Sequence, residues 1–243
     1  MKECFEVRYN LDKMAVGNAP DIAGALSALF GNPKAELEES IAYYNEKASE
    51  NAEKLKKLLG GTANAFFDKK IAFFGDSITS DKLSYANLII RSGIFASARE
   101  FAVSGISSNV MLQFLCGGVK SDNYDYVCVY IGTNDEYRID DEGNTLISLA
   151  EYERNIRLSA EKIKATGARC VFIKIIGRKD NLGICPPQGF NEVLERVAKE
   201  YDAVVADVKD INPEYIEDSI HLNEASQIRL AEHLLKTIEK ASR

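Results

Sequence analysis

The chain has 243 residues, of which 46% are hydrophobic and 28% are charged, and its formal net charge is −7. These proportions are typical of a globular protein and exclude a disordered chain, a collagen and a coiled-coil rod. No apolar run reaches the ~18–20 residues of a membrane-spanning helix, and an acidic chain is a poor candidate for nucleic-acid binding.

Five cysteines occur without any CxxC spacing, so the sequence indicates neither a disulfide framework nor a zinc site. Acidic residues precede the first apolar stretch, where a signal peptide would carry basic ones, so we expect a cytoplasmic protein. Only two histidines are present, His221 and His233. Any chemistry that depends on histidine must therefore use one of them.

The first 68 residues differ in pattern from the rest and are predicted to form a mostly helical extension. Phe5, Val7 and Tyr9 alternate with polar residues, which predicts a short strand. A short helix is expected over residues 21–30 because a glycine follows its last apolar position.

A long amphipathic helix of about 27 residues completes this extension. Asn32-Pro33 supplies an N-cap and a first-turn proline, and Gly60-Gly61 ends the helix. We expect its apolar stripe to pack on the body of the protein or on a partner subunit, and the second arrangement would make a homo-oligomer. The stripe consists of Leu37, Ile41, Tyr44, Ala48, Ala52, Leu55 and Leu59.

From Lys69 onward, apolar strands alternate with helical patterns. Strands are predicted near residues 71–74, 100–103, 126–131, 170–176 and 203–208. Helices are predicted near residues 81–92, 107–116, 150–166, 188–200 and 223–241. This alternation indicates an α/β domain over residues 69–243, with a central parallel sheet of about five strands in a three-layer α/β/α arrangement.

Polar groups follow four of the predicted strands, at the sheet edge where α/β proteins carry their sites. Ser77 begins the helix after the first strand, with its hydroxyl expected to be exposed, and Gly105 and Asn134 follow the second and third strands. Asp218 stands three residues before His221, a spacing that lets the carboxylate reach Nδ1 of the imidazole. Taken by itself, each group is a weak signal, because an ordinary turn carries the same residue types.

Together the four groups resemble the SGNH, or GDSL-type, esterases and acylhydrolases. The matching segments are Gly75-Asp76-Ser77, Ser104-Gly105, Gly132-Thr133-Asn134-Asp135 and Asp218 to His221. The resemblance covers about residues 69–241 and implies a flavodoxin-like SGNH-hydrolase fold. Residues 1–68 have no counterpart in it.

The resemblance also implies a serine esterase that needs no metal and no cofactor. Ser77 would be the nucleophile, His221 its general base, and Asp218 the group that orients the imidazole. The N–H groups of Ser77 and Gly105 and the side-chain amide of Asn134 would form the oxyanion hole. Hydrolysis would pass through an acyl-serine intermediate.

The expected substrate is a small-molecule or carbohydrate ester with a short acyl group, such as acetyl, on a polar alcohol. Two loops that follow strand ends, 136–149 and 177–189, carry charged residues and predict a polar rim. Asp76 and Asp135 are expected to be turn and supporting residues. The segment Ser80-Asp81-Lys82 stands where many members carry a glycine, which leaves the shape of the rim open.

Three alternatives stay open at this stage. The first is a lysophospholipase or thioesterase that acts on longer acyl chains, and the second is a non-catalytic polysaccharide-binding module on the same fold. The third is a nucleotide-binding flavodoxin-like domain, although Asp76 stands where a phosphate-cradling loop would avoid a carboxylate.

Overall fold

The computed structural model describes residues 4–9, 19–180, 183–185 and 189–243, without the side chains of residues 180, 183–185 and 210. The strands are β1 Lys70–Gly75, β2 Ser97–Glu100, β3 Tyr126–Tyr130, β4 Arg169–Ile173, β5 Arg178–Asp180, β6 Gly183–Cys185 and β7 Val204–Ala206. The helices are α1 Phe5–Arg8, α2 Ile22–Phe30, α3 Lys34–Leu59, α4 Ser77–Ser80, α5 Tyr85–Ser92, α6 Ser108–Gly118, α7 Leu149–Lys164, α8 Phe190–Tyr201 and α9 Glu224–Ala241. Short 3₁₀ turns lie at Gly60–Ala65 and Val208–Ile211.

Five parallel strands form the central sheet in the order β2-β1-β3-β4-β7. Successive side chains of a strand point to opposite faces, so Phe73 and Phe74 of β1 lie in two different apolar clusters. One cluster includes residues of α5 and α9, and the other includes residues of α6, α7 and α8. The predicted three-layer α/β/α fold is therefore confirmed.

The long helix α3 lies against the body of the protein. Its predicted stripe is buried or half-buried along its whole length, and it packs on α2, α5 and α9. Asn51 of this helix donates a hydrogen bond to Glu224 at 3.0 Å, which ties its middle to the start of α9. The stripe therefore packs on the body of the same chain, which is one of the two arrangements that we expected.

The predicted strand at residues 5–9 is wrong, because these residues form the single helical turn α1. Phe5 and Tyr9 are four residues apart, which makes them neighbours on a helix, and their ring centroids lie 4.6 Å apart. Val7 and Tyr9 are buried. Alternation over so few residues fits one turn of helix as well as a strand, and contacts with the rest of the chain decide between them.

Three further elements differ from expectation. The helix predicted over 81–92 begins later, as α5 at Tyr85, after the separate helical turn α4, and β2 begins three residues earlier than predicted. The β5–β6 hairpin lies within the predicted loop 177–189, of which residues 181–182 and 186–188 are outside the described residues. Across the described ranges, no helix is both long enough and apolar enough to cross a bilayer.

Candidate active site

The carboxyl ends of β1 and β3 adjoin at one edge of the sheet. β1 ends at Gly75 and α4 begins at Ser77, so the chain turns within two residues. A Cβ at Gly75 would lie 2.5 Å from the Tyr130 carbonyl oxygen and would also clash with a threonine hydroxyl, so this position needs glycine. Asp76 caps α4 by accepting a hydrogen bond from a backbone N–H at 3.0 Å. The turn fixes Ser77 just beyond the strand.

Ser77, His221 and Asp218 form a continuous hydrogen-bonded chain. The Ser77 Oγ lies 2.7 Å from Nε2 of His221, and Nδ1 of the same ring lies 2.6 Å from Oδ2 of Asp218. Ser77 is only 7% exposed, so its hydroxyl is more enclosed than we expected, because the imidazole lies against it. The three residues are brought together as the sequence predicted, in the order that proton transfer from a serine hydroxyl requires.

The Asp218 carboxylate is held by its own loop. Its Oδ1 accepts hydrogen bonds from the N–H groups of Ile220 and His221, both at 2.9 Å. Partial burial acts to raise its pKa, but these hydrogen bonds and the imidazole outweigh burial and keep the pKa of Asp218 below its ordinary value. The group is therefore an anion at neutral pH, which favours the imidazole tautomer with its proton on Nδ1.

The β5–β6 hairpin is attached to the loop that carries Asp218 and His221. The Lys179 N–H donates to the Ser219 carbonyl oxygen at 2.9 Å. Ser219 adopts a left-handed conformation with φ of 61°. The Tyr215 hydroxyl donates to the Gly177 carbonyl oxygen at 2.5 Å. The position of the imidazole therefore depends on a segment that lies more than thirty residues earlier in the chain.

Three hydrogen-bond donors follow the strand ends at Ser77, Gly105 and Asn134. The Asn134 Nδ2 donates to the Ile106 carbonyl oxygen at 2.9 Å, which fixes the amide and leaves it a second N–H. Gly105 adopts a left-handed conformation with φ of 77°. In the part of the chain that the structure describes, the backbone N–H groups of Ser77 and Gly105 donate no hydrogen bond. Such groups can stabilise a developing oxyanion.

Two buried acids support the turns around the site. Both carboxylate oxygens of Asp135 accept from the Ser108 N–H, at 3.0 and 3.1 Å, at the start of α6. Burial raises the pKa of Asp76 to about 7 and that of Asp135 to about 6. Both residues hold helix termini, which agrees with the supporting role that the sequence predicted.

His233 lies in the middle of α9, outside the hydrogen-bonded chain of Ser77, His221 and Asp218. It is half-buried, as expected of a structural residue. Within the residues that the structure describes, no group of three or more His, Cys, Asp and Glu residues is arranged to hold a metal ion.

The N-terminal turn α1 reaches the site, which the sequence analysis missed. The ring centroid of Tyr9 lies 4.5 Å from that of His221, and Arg8 forms a buried ion pair with Asp81 at 3.2 Å. Residues 1–68 have no counterpart in the family resemblance, yet α1 brings one of their side chains against His221. No motif or spacing indicates this contact, because it joins parts of the chain about 210 residues apart.

The rim at residues 136–149 is mixed in character and not uniformly polar as predicted. Residues 138 and 145 pair as an antiparallel bridge, and the ribbon exposes Tyr137, Ile139 and Leu146. Beside it, the Arg178 guanidinium lies over the Tyr137 ring and 3.6 Å from Oε1 of Glu136. Burial raises the pKa of Glu136 to about 7 in spite of this arginine.

Comparison with known proteins agrees with this geometry. A sequence model of the GDSL-like lipase/acylhydrolase family matches residues 73–227. Among curated proteins, no sequence matches the chain significantly. The fold defined above, with its serine, histidine and aspartate at the sheet edge, is that of the SGNH-hydrolase class. The chain belongs to the GDSL-like lipase/acylhydrolase family.

Solved structures share this fold at low sequence identity. TesA is 21% identical with a TM-score of 0.59, and the match covers 71% of this chain and 99% of TesA. A lipase/acylhydrolase from Enterococcus faecalis is 19% identical with a TM-score of 0.58, over 71% of this chain and 96% of that one. A catalytic mutant of Axe2, an acetylxylan esterase from Geobacillus stearothermophilus, is 18% identical with a TM-score of 0.57, over 72% and 96%.

Proposed function

We propose that the protein is a serine esterase that hydrolyses a carboxylic ester through an acyl-Ser77 intermediate. The observation that carries the proposal is the unbroken hydrogen-bonded chain from Asp218 through His221 to Ser77, with contacts of 2.6 and 2.7 Å. Membership of the GDSL-like family supports a carboxylic ester hydrolase in general.

The proposed reaction has two steps. The Ser77 Oγ attacks the ester carbonyl while Nε2 of His221 takes its proton, and the imidazolium then gives that proton to the departing alcohol. Water, activated by the same nitrogen, attacks the acyl-serine and releases the acid. The Asp218 anion stabilises the imidazolium in both steps, and neither step requires a metal or a cofactor.

The tetrahedral intermediate would place its negative oxygen among three donors. These are the backbone N–H groups of Ser77 and Gly105 and the amide of Asn134. The support for this assignment is that Asn134 is fixed by Ile106 and keeps a second N–H. Fixed donors need no reorganisation when charge develops, which is why such groups contribute strongly to catalysis.

For the substrate we propose a short acyl group, such as acetyl, on a carbohydrate or another polar alcohol. The partly exposed Arg178 and the neighbouring Glu136 offer polar hydrogen-bonding groups that follow the ends of β4 and β3 in the chain. Axe2, which shares the fold, is described as an acetylxylan esterase.

A second candidate is a thioesterase or lysophospholipase that takes longer acyl chains. The exposed side chains of Tyr137, Ile139 and Leu146 favour it, because an acyl chain gains about 0.8 kcal/mol for each CH₂ that it buries. A non-catalytic polysaccharide-binding module would explain the fold but not the complete set of hydrogen-bonded groups.

A serine-reactive fluorophosphonate tests whether the protein is an enzyme of this kind. We expect the probe to label Ser77, the Ser77→Ala variant to lose both the label and p-nitrophenyl acetate hydrolysis, and the control variant Ser107→Ala to keep the label. Labelling that persists in Ser77→Ala would contradict the proposal. Intact protein that neither reacts nor hydrolyses any ester would favour the binding module.

A series of p-nitrophenyl esters tests the substrate. We expect kcat/KM to fall from acetate to octanoate, and Ile139→Ser to leave the acetate value unchanged. A maximum at eight carbons that Ile139→Ser abolishes would instead favour the second candidate.

A further inference from the structure

We infer that Tyr9, which lies outside the matched family segment, is a positioning residue for the catalytic imidazole. The inference rests on the proposed function, because it assigns His221 as the base. Tyr9 is 2% exposed, and its ring centroid lies 4.5 Å from that of His221, with an angle of 46° between the ring planes. This contact lies on the ring itself, whereas the two hydrogen bonds of His221 lie at its nitrogen atoms.

Two hydrogen bonds alone do not fix an imidazole. Bonds at Nδ1 and Nε2 hold the two nitrogen atoms, but the ring can still tilt about the axis that joins them. A third contact on the ring restricts that tilt and keeps water from that side. The Asp218 side chain is 37% exposed, so the acid is open to solvent, whereas the His221 side chain that Tyr9 contacts is only 13% exposed.

The segment that carries Tyr9 is firmly attached to the helix that carries Ser77. The Lys82 N–H donates to the Arg8 carbonyl oxygen at 2.7 Å, and the Ser80 hydroxyl donates to the Tyr9 carbonyl oxygen at 3.4 Å. The Arg8 and Asp81 side chains are 4% and 0% exposed, and Nε of the arginine lies 3.2 Å from the carboxylate. A buried ion pair of this kind fixes register, because a shifted partner would leave a charge unpaired.

Val7 completes the attachment through apolar contacts. It belongs to a third buried cluster with Leu83, which follows α4, and with Leu37, Tyr44 and Ala48 of α3. The helical extension therefore connects to the active site through α1. In this arrangement α3 supports α1, and Tyr9, which directly follows α1, contacts His221.

The test compares two buried tyrosines. Tyr9→Leu removes the ring beside His221, whereas Tyr126→Leu removes a ring at the start of β3, at the opposite end of the sheet. We expect both to lower the melting temperature, but only Tyr9→Leu to lower kcat for p-nitrophenyl acetate, by about threefold to tenfold with KM nearly unchanged. Tyr9→Phe keeps the ring and should restore kcat to within about twofold of the wild type.

Proton NMR supplies a readout that does not depend on turnover. The Nδ1 proton of His221, shared with Asp218 at 2.6 Å, should give a far-downfield resonance that His221→Ala removes. We expect Tyr9→Leu to broaden or shift it, and Tyr9→Phe and Tyr126→Leu to preserve it. An unaltered resonance in Tyr9→Leu, or its absence from the wild type, would overturn the inference.

The two proposals fail in different ways. Wild-type protein without Ser77-dependent hydrolysis would refute the esterase, while the NMR comparison would still test the contact between Tyr9 and the imidazole. An active wild type in which Tyr9→Leu and Tyr126→Leu have equal kcat, or in which Tyr9→Leu changes KM alone, would refute only the positioning role.

Discussion

Replacement of Asn134 by alanine tests the oxyanion hole most directly. Of its three proposed donors, Asn134 alone acts through a side chain, so it can be removed while both backbone donors stay in place. Its Nδ2 already donates one hydrogen bond to the Ile106 carbonyl oxygen at 2.9 Å. The substitution therefore removes a donor whose position is set before the substrate arrives.

The expected loss follows from this geometry. Removal of one preorganised donor lowers kcat by about 10²–10³, which corresponds to about 2.7–4 kcal/mol of transition-state stabilisation. KM should change little, because the donor bonds the oxyanion better than the neutral carbonyl. Loss of the bond to Ile106 should also lower the free energy of unfolding by about 0.5–1.5 kcal/mol.

Asn191 provides a matched control for this loss of stability. Its amide donates to the Ile175 carbonyl oxygen at 3.0 Å and accepts from the Ile175 N–H at 2.8 Å, so it ties a side chain to the backbone beyond β4. Asn191→Ala should cost at least as much stability as Asn134→Ala while leaving kcat within a few-fold of the wild type.

The assay is initial-rate hydrolysis of p-nitrophenyl acetate, together with urea unfolding of each variant. Three results would refute the reasoning: a change in KM alone, a kcat within threefold of the wild type, or equal losses of kcat in the Asn134 and Asn191 variants. The first would mean that Asn134 holds the substrate, and the third that any loosening of the sheet edge lowers the rate.

The remaining predictions concern the base, pH and the turn before α4. His221→Ala should lower kcat by about 10³ or more and His233→Ala should have little effect; the opposite ranking in the same assay would reassign the base. The pKa of Asp76 is raised by burial from 3.8 to about 7, so the folded state holds a proton that the unfolded chain releases, and stability falls as pH rises between about 4 and 7. We would measure the free energy of unfolding in urea at several pH values. Asp76→Asn should make its fall with pH less steep, by up to about 1.4 kcal/mol for each pH unit. The same pH dependence in the variant and the wild type would contradict the burial argument. Gly75→Ala should lower the free energy of unfolding by about 1–3 kcal/mol and reduce kcat, because its Cβ would clash with neighbouring atoms. Gly117→Ala, whose Cβ would meet open space in α6, should be neutral or stabilising by up to about 1 kcal/mol. Equal effects of the two substitutions in thermal unfolding would refute the predicted clash at Gly75.

Much of the fold could be predicted because its signals are local. Apolar strands and amphipathic helices each occupy one continuous segment, and glycine residues mark the ends of α2 and α3. The Asp218–His221 pair lies within four residues, so its hydrogen bond was predictable from spacing. The prediction for residues 5–9 was wrong, since the pattern of five residues does not distinguish a helical turn from a strand.

The rim of the candidate active site and the residues around it were harder to predict than the reacting groups. The loop 136–149 is rich in charge, yet its ribbon exposes Tyr137, Ile139 and Leu146, because pairing between its two sides determines which side chains face outward. Burial also raises the pKa of Asp76 and Glu136, and no sequence pattern indicated that these two acids would be buried.

By itself, the sequence determined the alternation of strands and helices, the parallel sheet and the candidate groups at the strand ends, because each depends on short-range pattern and on the chemistry of residue types. Only the tertiary structure decided that Ser77 lies 2.7 Å from His221, and that Tyr9 packs on the same imidazole. These contacts join residues separated by most of the chain. They form only when the sheet aligns its strand ends and α1 packs against α4. A local sequence pattern does not indicate either of these arrangements.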